Sequence, residues 1–315
     1  MVAILFVVTI INFILIQLPP GDVASTEIAQ LEMAGNMVTV EEAAAIREQY
    51  GLDKPLIAQY FKWISNIFKG DFGYSFTWKM PVIELIGSRI LLTLVVALTS
   101  ILFIYGLAIP IGIYSATHQY SPGDYIVTFG GFLGLATPNF LLALILMFFF
   151  YKFFGLSVGG LFSPEFVRAS WSFAKIWDML KHMVIPVIVI GTAGTCSIIR
   201  IMRATLLDEL KKQYVITARA KGMSEGKLLI KYPVRVALNP IVSTLGWAIP
   251  VTIGATNITA IVLSLQTTGP LLINALLGQD MYLAGSILLF LSTLTVIGTF
   301  VSDILLAKID PRIRY

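Results

Sequence analysis

An all-α protein embedded in a membrane is the fold class this sequence predicts, and three observations predict it. Apolar residues fill 57% of the 315 positions and charged residues only 13%, with a mean hydropathy of +0.84, whereas a soluble domain carries about a quarter charged residues. Six apolar stretches approach the ~20 residues that a helix needs to cross a ~30 Å hydrocarbon layer. The basic residues gather in one loop, as they do on the cytoplasmic side of membrane proteins.

The six stretches lie at 2–18, 91–116, 125–153, 183–202, 238–263 and 282–307. Pro110, Pro138 and Pro186 fall inside or at the ends of these spans, where neighbouring helices tolerate them. Gly130-Gly131-x-x-Gly134 is a small-residue pattern that lets another helix approach, and it is common in spans generally. The apolar start followed by Gly21-Asp22-Val23-Ala24-Ser25 also has the outline of a cleaved signal peptide. It lacks the basic leading region of one, and its removal would break the parity of the remaining spans, so a retained first span is expected. No Lys or Arg precedes that span, which is odd for an inside terminus and raises the expectation of a few basic residues before the present start.

Charge sets the orientation. Residues 200–235 hold nine basic side chains against three acidic ones, Asp208, Glu209 and Glu225, whereas residues 19–88 hold five basic and nine acidic. The loop after span four is therefore expected in the cytoplasm. Six spans then put both termini inside and residues 19–88 outside, and Lys308, Arg312 and Arg314 agree. The chain divides into residues 1–88, a first transmembrane helix plus a helical external segment, and residues 89–315, a five-helix core with a cytoplasmic loop at about 204–236.

The external segment has helix signals of its own. Thr39-x-x-Glu42 is a capping box that opens a helix running to Gly51. Pro55 opens another, with Leu56, Tyr60, Trp63, Ile64, Ile67 and Phe68 at helical spacing and an end near Gly70. Such an aromatic helix lies on lipid or packs on the spans; packing is the expectation.

Several activities are excluded by what the chain lacks. One cysteine, Cys196, forms no intrachain disulfide, and with only His118 and His182 beside it a zinc enzyme is improbable. The nearest phosphate-loop lookalike, Gly222-Met-Ser-Glu-Gly226-Lys227-Leu228, has three intervening residues instead of four and Leu in place of the hydroxyl that holds magnesium. An ion-coupled transporter, the alternative from another class, spends costly intramembrane carboxylates or histidines on its relay. The spans hold almost none. Asp303, the exception, sits a turn from the end of span six, where pairing with Lys308 or capping of backbone is expected. An intramembrane hydrolase needs a nucleophile or carboxylate partnered at depth, yet His182 borders span four beside Lys181 and His118 lies in a loop beside Gln119.

The informative stretch is residues 208–240. A helix is expected from Tyr214 to Lys221, stopped by Gly222 in the left-handed conformation, and a second from Glu225 to Leu238 leads into span five. A short helix held between two spans, with Arg219 and Lys221 facing a partner, is a lever that turns a partner's rigid-body movement into rearrangement of a transmembrane path. Basic charge alone fits a plainer role, fixing topology and touching anionic lipid.

The ordered string Thr217-Ala218-Arg219-Ala220-Lys221-Gly222 decides between these. It resembles the Glu-Ala-Ala loop of binding-protein-dependent ABC importer permeases, in the form used by the dipeptide and oligopeptide branch, with Ile216 and Thr217 at the first two positions of that name. The likeness covers nearly the whole chain: Leu18-Pro19-Pro20-Gly21-Asp22, Gly51-Leu52-Asp53-Lys54-Pro55-Leu56, Gly70-Asp71-Phe72-Gly73-Tyr74-Ser75-Phe76, Pro138-Asn139-Phe140, Ala237-Leu238-Asn239-Pro240 and the closing Asp310-Pro311-Arg312-Ile313-Arg314. One departure concerns the region after span five. The peptide branch usually has a Glu there, then a Phe and a Pro-Gly pair. Here the run from Ile261 to Gly269-Pro270 has no acidic residue and Gly before Pro, and the wider family includes oligosaccharide permeases.

The resemblance implies a type I permease fold in a bacterial inner membrane, with no catalysis and no cofactor in this chain. A second homologous permease, two cytoplasmic ATPases that bind ATP and magnesium, an extracytoplasmic solute-binding protein and membrane lipid are the implied partners; nucleic acid is not among them. The coupling residues it implies are Tyr214, Thr217, Ala218, Arg219, Ala220, Lys221, Gly222 and Glu225. Asn257, Thr259 and Gln266 are candidates for lining the path, or equally for satisfying neighbouring helices.

Overall fold

A computed structural model describes residues 2–18, 23–35, 37–49, 52–75, 77–155 and 159–309. In chain order the first elements are α1 (Val2–Gln17), α2 (Val23–Met33), α3 (Val40–Gln49) and α4 (Leu56–Phe68). A small hairpin of β1 (Tyr74–Ser75) and β2 (Met80–Pro81) precedes the long α5 (Val82–Thr117). Next come α6 (Pro122–Ala136), α7 (Asn139–Phe154), α8 (Phe173–Leu210), α9 (Gln213–Ala220), α10 (Glu225–Lys231) and α11 (Pro233–Ala237). The last three are α12 (Asn239–Val262), α13 (Thr268–Leu277) and α14 (Met281–Ile309).

Each apolar stretch of the sequence is helical. Helices α5 and α8, and residues Met281–Val301 of α14, are long and apolar enough to cross a bilayer; the bent pair α6–α7 makes a fourth if taken as one span. The expected third span is not one straight helix, because the chain turns by 105° between α6 and α7. Proline accounts for this. Pro138 offers no N–H and disfavours helical geometry in the residue before it, so Thr137 is extended at φ −85°, ψ 119° and Pro138 caps the next helix at φ −60°, ψ 136°. The Thr137 hydroxyl closes the end of α6 on the Leu133 carbonyl at 2.7 Å. Pro110 and Pro186 stay inside unbroken helices.

The chain forms two compact units. The first comprises residues 1–93 and 267–296. Its core joins Val82 and Ile86 of α5, Leu271, Leu272 and Ala275 of α13, and Leu283, Ala284 and Ile287 of α14. The capping box is present: the Thr39 N–H donates to the Glu42 carboxylate at 2.8 Å and the Glu42 N–H returns to the Thr39 hydroxyl at 3.3 Å. The expected end of that helix at Gly51 lies outside the described residues. Helix α4 packs as expected, with Tyr60 and Trp63 against Phe13 of α1 and Met281 of α14, and Thr9 and Tyr60 share a 2.8 Å hydrogen bond.

Helices α2 and α13 and the hairpin carried no clear sequence signal. A buried carboxylate anchors the hairpin: Asp280, fully buried, accepts from the Ser75 hydroxyl at 2.5 Å, the Thr77 N–H at 3.1 Å and the Leu283 N–H at 3.2 Å. The Asp71 carboxylate accepts the Gly73 N–H at 2.9 Å, and a Cβ on Gly73 would meet the Tyr282 ring at 2.9 Å. That is why the Gly70–Ser75 motif reads as it does. Phe76 and residues 19–22 and 310–315, which carry other motifs, lie outside the described residues.

The second unit comprises residues 94–266 and 297–315. Its core joins Ile104 and Ala108 of α5, Ile198, Met202 and Leu206 of α8, Val234 and Ala237 of α11, and Ile241 of α12. Asp303 is exposed on α14 and makes no ion pair with Lys308; five residues apart on a helix, the two point about 140° away from each other.

Candidate functional site: the elbow between α8 and α12

The basic loop folds as an elbow whose two arms meet at the base. Helix α8 is longer than the apolar stretch inside it, beginning at Phe173 on the Ser172 cap and running to Leu210. Its last turns, through Met202 and Leu206, pack on Val234, Ala237 and Ile241, so the chain leaves and returns at one packed junction. Thr205 of α8 also donates to the Ala237 carbonyl at 3.3 Å. Apolar contact at this junction makes the elbow a rigid extension of α8 and α12 rather than a slack loop.

Within the elbow, α9 is a two-turn helix and α10 folds back on it. Val215, Ala218 and Leu228 form a small buried core flanked by Met223 and Tyr232. The stop at Gly222 is as expected: φ is +78°, with open space around the missing Cβ, and its N–H closes on the Arg219 carbonyl at 3.0 Å. The expected second helix from Glu225 to Leu238 is divided. Pro233 has no N–H to continue it and displaces Tyr232 to φ −118°, ψ −79°, so α10 ends and α11 begins there.

The outer surface is charged. Arg219 clasps Glu225 through two nitrogens, Nε at 2.5 Å and Nη2 at 3.0 Å, and both side chains are exposed. The pairing raises the Arg219 pKa and holds the Glu225 carboxyl below its ordinary range. Tyr214 donates to the Glu209 carboxylate at 2.5 Å; burial first, and then that carboxylate, push its phenol above the ordinary range. Tyr214, Thr217, Arg219, Ala220, Lys221, Gly222 and Glu225 are all exposed, whereas Ala218 faces inward and supports the elbow from below.

Sequence reasoning missed what fixes α8 above this elbow. Arg203 makes a fork to Asp124, Nε to Oδ1 and Nη2 to Oδ2, both at 2.9 Å. The Asp124 side chain is only 3% exposed, and it also accepts from the Ser115 hydroxyl and, at 3.0 Å, the Tyr120 N–H. The end of α5, the start of α6 and α8 are thereby tied together. An acidic residue at the head of an apolar stretch and an arginine 79 positions later are the signal, but nothing local links them. The histidines also have partners: His182 Nδ1 lies 2.9 Å from the Asp178 carbonyl, and His118 stacks on Tyr114 with centroids 4.6 Å apart.

The path candidates do not converge. Asn257 is half-buried on α12 and Thr259 is 1% exposed on the same helix. Gln266 accepts the Leu161 N–H at 3.4 Å, beside a 2.7 Å bond from the Gly160 N–H to the Leu263 carbonyl. Gln266 thus fastens the segment at 159–163 to the end of α12.

Long apolar helices joined by an exposed basic elbow define a class, a helical membrane component. The chain belongs to the family described as binding-protein-dependent transport system inner membrane component, whose model matches residues 108–315, and the N-terminal model of the same description matches residues 1–99. It is 34% identical to the oligopeptide transport system permease protein AppB of Bacillus subtilis, over 100% of this chain and 96% of that protein. It is 32% identical to the oligopeptide transport system permease protein OppB of Haemophilus influenzae, over 99% and 95%. Its fold is similar to an inward-facing crystal structure of the MetNI methionine ABC transporter, with a TM-score of 0.55 and 15% identity, covering 72% of this chain and 97% of that one. None of these likenesses favours the ion-coupled alternative.

Proposed function

We propose that this chain is the permease subunit of an ATP-driven peptide importer and forms half of the translocation path by alternating access. It crosses the inner membrane six times with both termini in the cytoplasm, pairs with a homologous permease, and does no chemistry itself. Two cytoplasmic ATPases bind ATP and magnesium, and an extracytoplasmic binding protein delivers the solute. The observation that carries this reading is the elbow itself: an exposed two-turn helix, closed at its base onto α8 and α12, with Arg219 and Lys221 outward. Such an element seats against a moving partner and transmits its rotation to the spans. Tyr214, Thr217, Gly222 and Glu225 complete the outward face, with Ala218 and Ala220 in the helix. Asn257, Thr259 and Gln266 are assigned to the path or its outer rim.

Peptides are favoured over oligosaccharides because both relatives above are oligopeptide system permeases at about a third identity along their full length. The test is reconstitution of the assembly with its binding protein. ATP hydrolysis is expected to rise when that protein carries a short peptide and to stay at the basal rate when it is offered an oligosaccharide. The reverse pattern overturns the assignment of peptide.

A further inference from the structure

We propose that a groove between α6 and α8 binds an anionic phospholipid, with Arg200 holding the headgroup phosphate. The two helices touch where a Cβ on Gly134 would meet the Cys196 sulfur at 2.7 Å. Beside that contact they part, leaving a cavity of about 220 Å³. Gly131, Phe132 and Leu135 line it from α6, and Cys196, Ile199 and Arg200 from α8. One wall is apolar, built by Phe132, Leu135 and Ile199; Gly131 has nothing within 4 Å of its absent Cβ, so the groove stays open there.

The charge is what selects the ligand. Arg203 also lines the cavity, but Asp124 already neutralises it. Arg200, one turn earlier on the same face, is exposed and makes no ion pair among the described residues. A guanidinium without a counterion in a membrane-spanning helix is costly, and a planar fork matches a phosphate. Basic pockets between membrane helices at the cytoplasmic end are natural headgroup sites, and this one lies where α8 approaches the elbow. An acyl chain along Phe132 and Leu135 with its phosphate on Arg200 satisfies both walls at once. The site rests on the chain being a membrane helix bundle and not on which solute it carries.

Cys196, the chain's single cysteine, lines the groove and reports its occupancy. The transporter is purified with its partner subunits in detergent and titrated with dioleoylphosphatidylglycerol, while alkylation of Cys196 by N-ethylmaleimide is followed by peptide mass spectrometry. Retained lipid is counted on the same samples by native mass spectrometry, a readout that does not depend on the thiol. Phosphatidylglycerol is expected to slow alkylation and to remain bound, and dioleoylphosphatidylcholine to do neither. Arg200→Gln is expected to raise the half-protecting lipid concentration about fivefold, the factor one basic residue contributes at a membrane surface, and Arg200→Lys to restore most of it. Equal protection by phosphatidylcholine, protection by inorganic phosphate without lipid, protection by a transported peptide instead, or an unchanged titration and lipid count in Arg200→Gln would each overturn the proposal. Uptake is not read, so failure here is distinct from failure of the transport reading.

Discussion

The elbow at 211–232 and the hairpin at 74–81 are opposite in design. The elbow keeps its charges outside, in an exposed Arg219–Glu225 pair, and hides only Val215, Ala218 and Leu228. The hairpin is instead held by a hidden carboxylate: Asp280 is fully buried and gathers hydroxyl and backbone donors from hairpin residues over 200 positions away in the chain. An exposed ion pair contributes little to stability, whereas a buried charge is tolerated only when fully bonded. The difference separates an exposed, charged surface from a joint that holds its own. The Asp124–Arg203 fork belongs with the hairpin by this measure, although it lies above the elbow.

The contrast makes graded predictions. Asp124→Ala leaves Arg203 without its counterion, and with Arg203 27% exposed the cost is expected at about 3 kcal/mol in denaturant unfolding. Replacing both, by Asp124→Leu with Arg203→Met, is expected to recover most of that loss. Asp280→Ala removes the acceptor for three donors and is expected to cost about 2 kcal/mol, together with faster tryptic cleavage at the exposed Lys79 in the turn. Gly222→Ala forces a side chain into φ +78° at an expected cost of about 1 kcal/mol; Gly222→Pro also loses the N–H bond to Arg219 and is expected to abolish uptake while membrane insertion persists.

At the small end, Glu225→Gln is expected to leave the unfolding midpoint unchanged, and a clear drop would show that the elbow is a structural joint after all. Another small effect is set by pH. Thr39's N–H, and then its hydroxyl, lower the Glu42 carboxyl below its ordinary 4.5. A depressed acid contributes stability that is present above its unfolded value and lost as pH falls through the folded one. The protection of α3 amides relative to their intrinsic exchange rates is therefore expected to be flat above pH 4.5 and to fall below it.

Legibility in the sequence followed the same division. The capping box at Thr39, the aromatic face of α4 and the Gly222 stop were readable, because each rests on residues within a turn or two of one another. The elbow's exposed residues occupy near-consecutive positions, and it was the resemblance of that string, Thr217 to Gly222, that singled them out. Asp280, the Asp124–Arg203 fork and the support given by Ala218 were not, because each depends on a neighbour that only folding supplies. The break at Pro138 was foreseeable in kind: the proline was seen, but whether a helix bends or continues depends on packing that spared Pro110 and Pro186.

The central claim, that the elbow transmits a partner's movement, is tested most directly by reversing its outward charge. In the reconstituted assembly, Arg219→Glu with Lys221→Glu is expected to keep normal membrane insertion and abundance, yet to lose at least ~tenfold in uptake as hydrolysis by the ATPases ceases to respond to loaded binding protein. Uptake and stimulated hydrolysis at the unaltered level, at equal protein abundance, would contradict it.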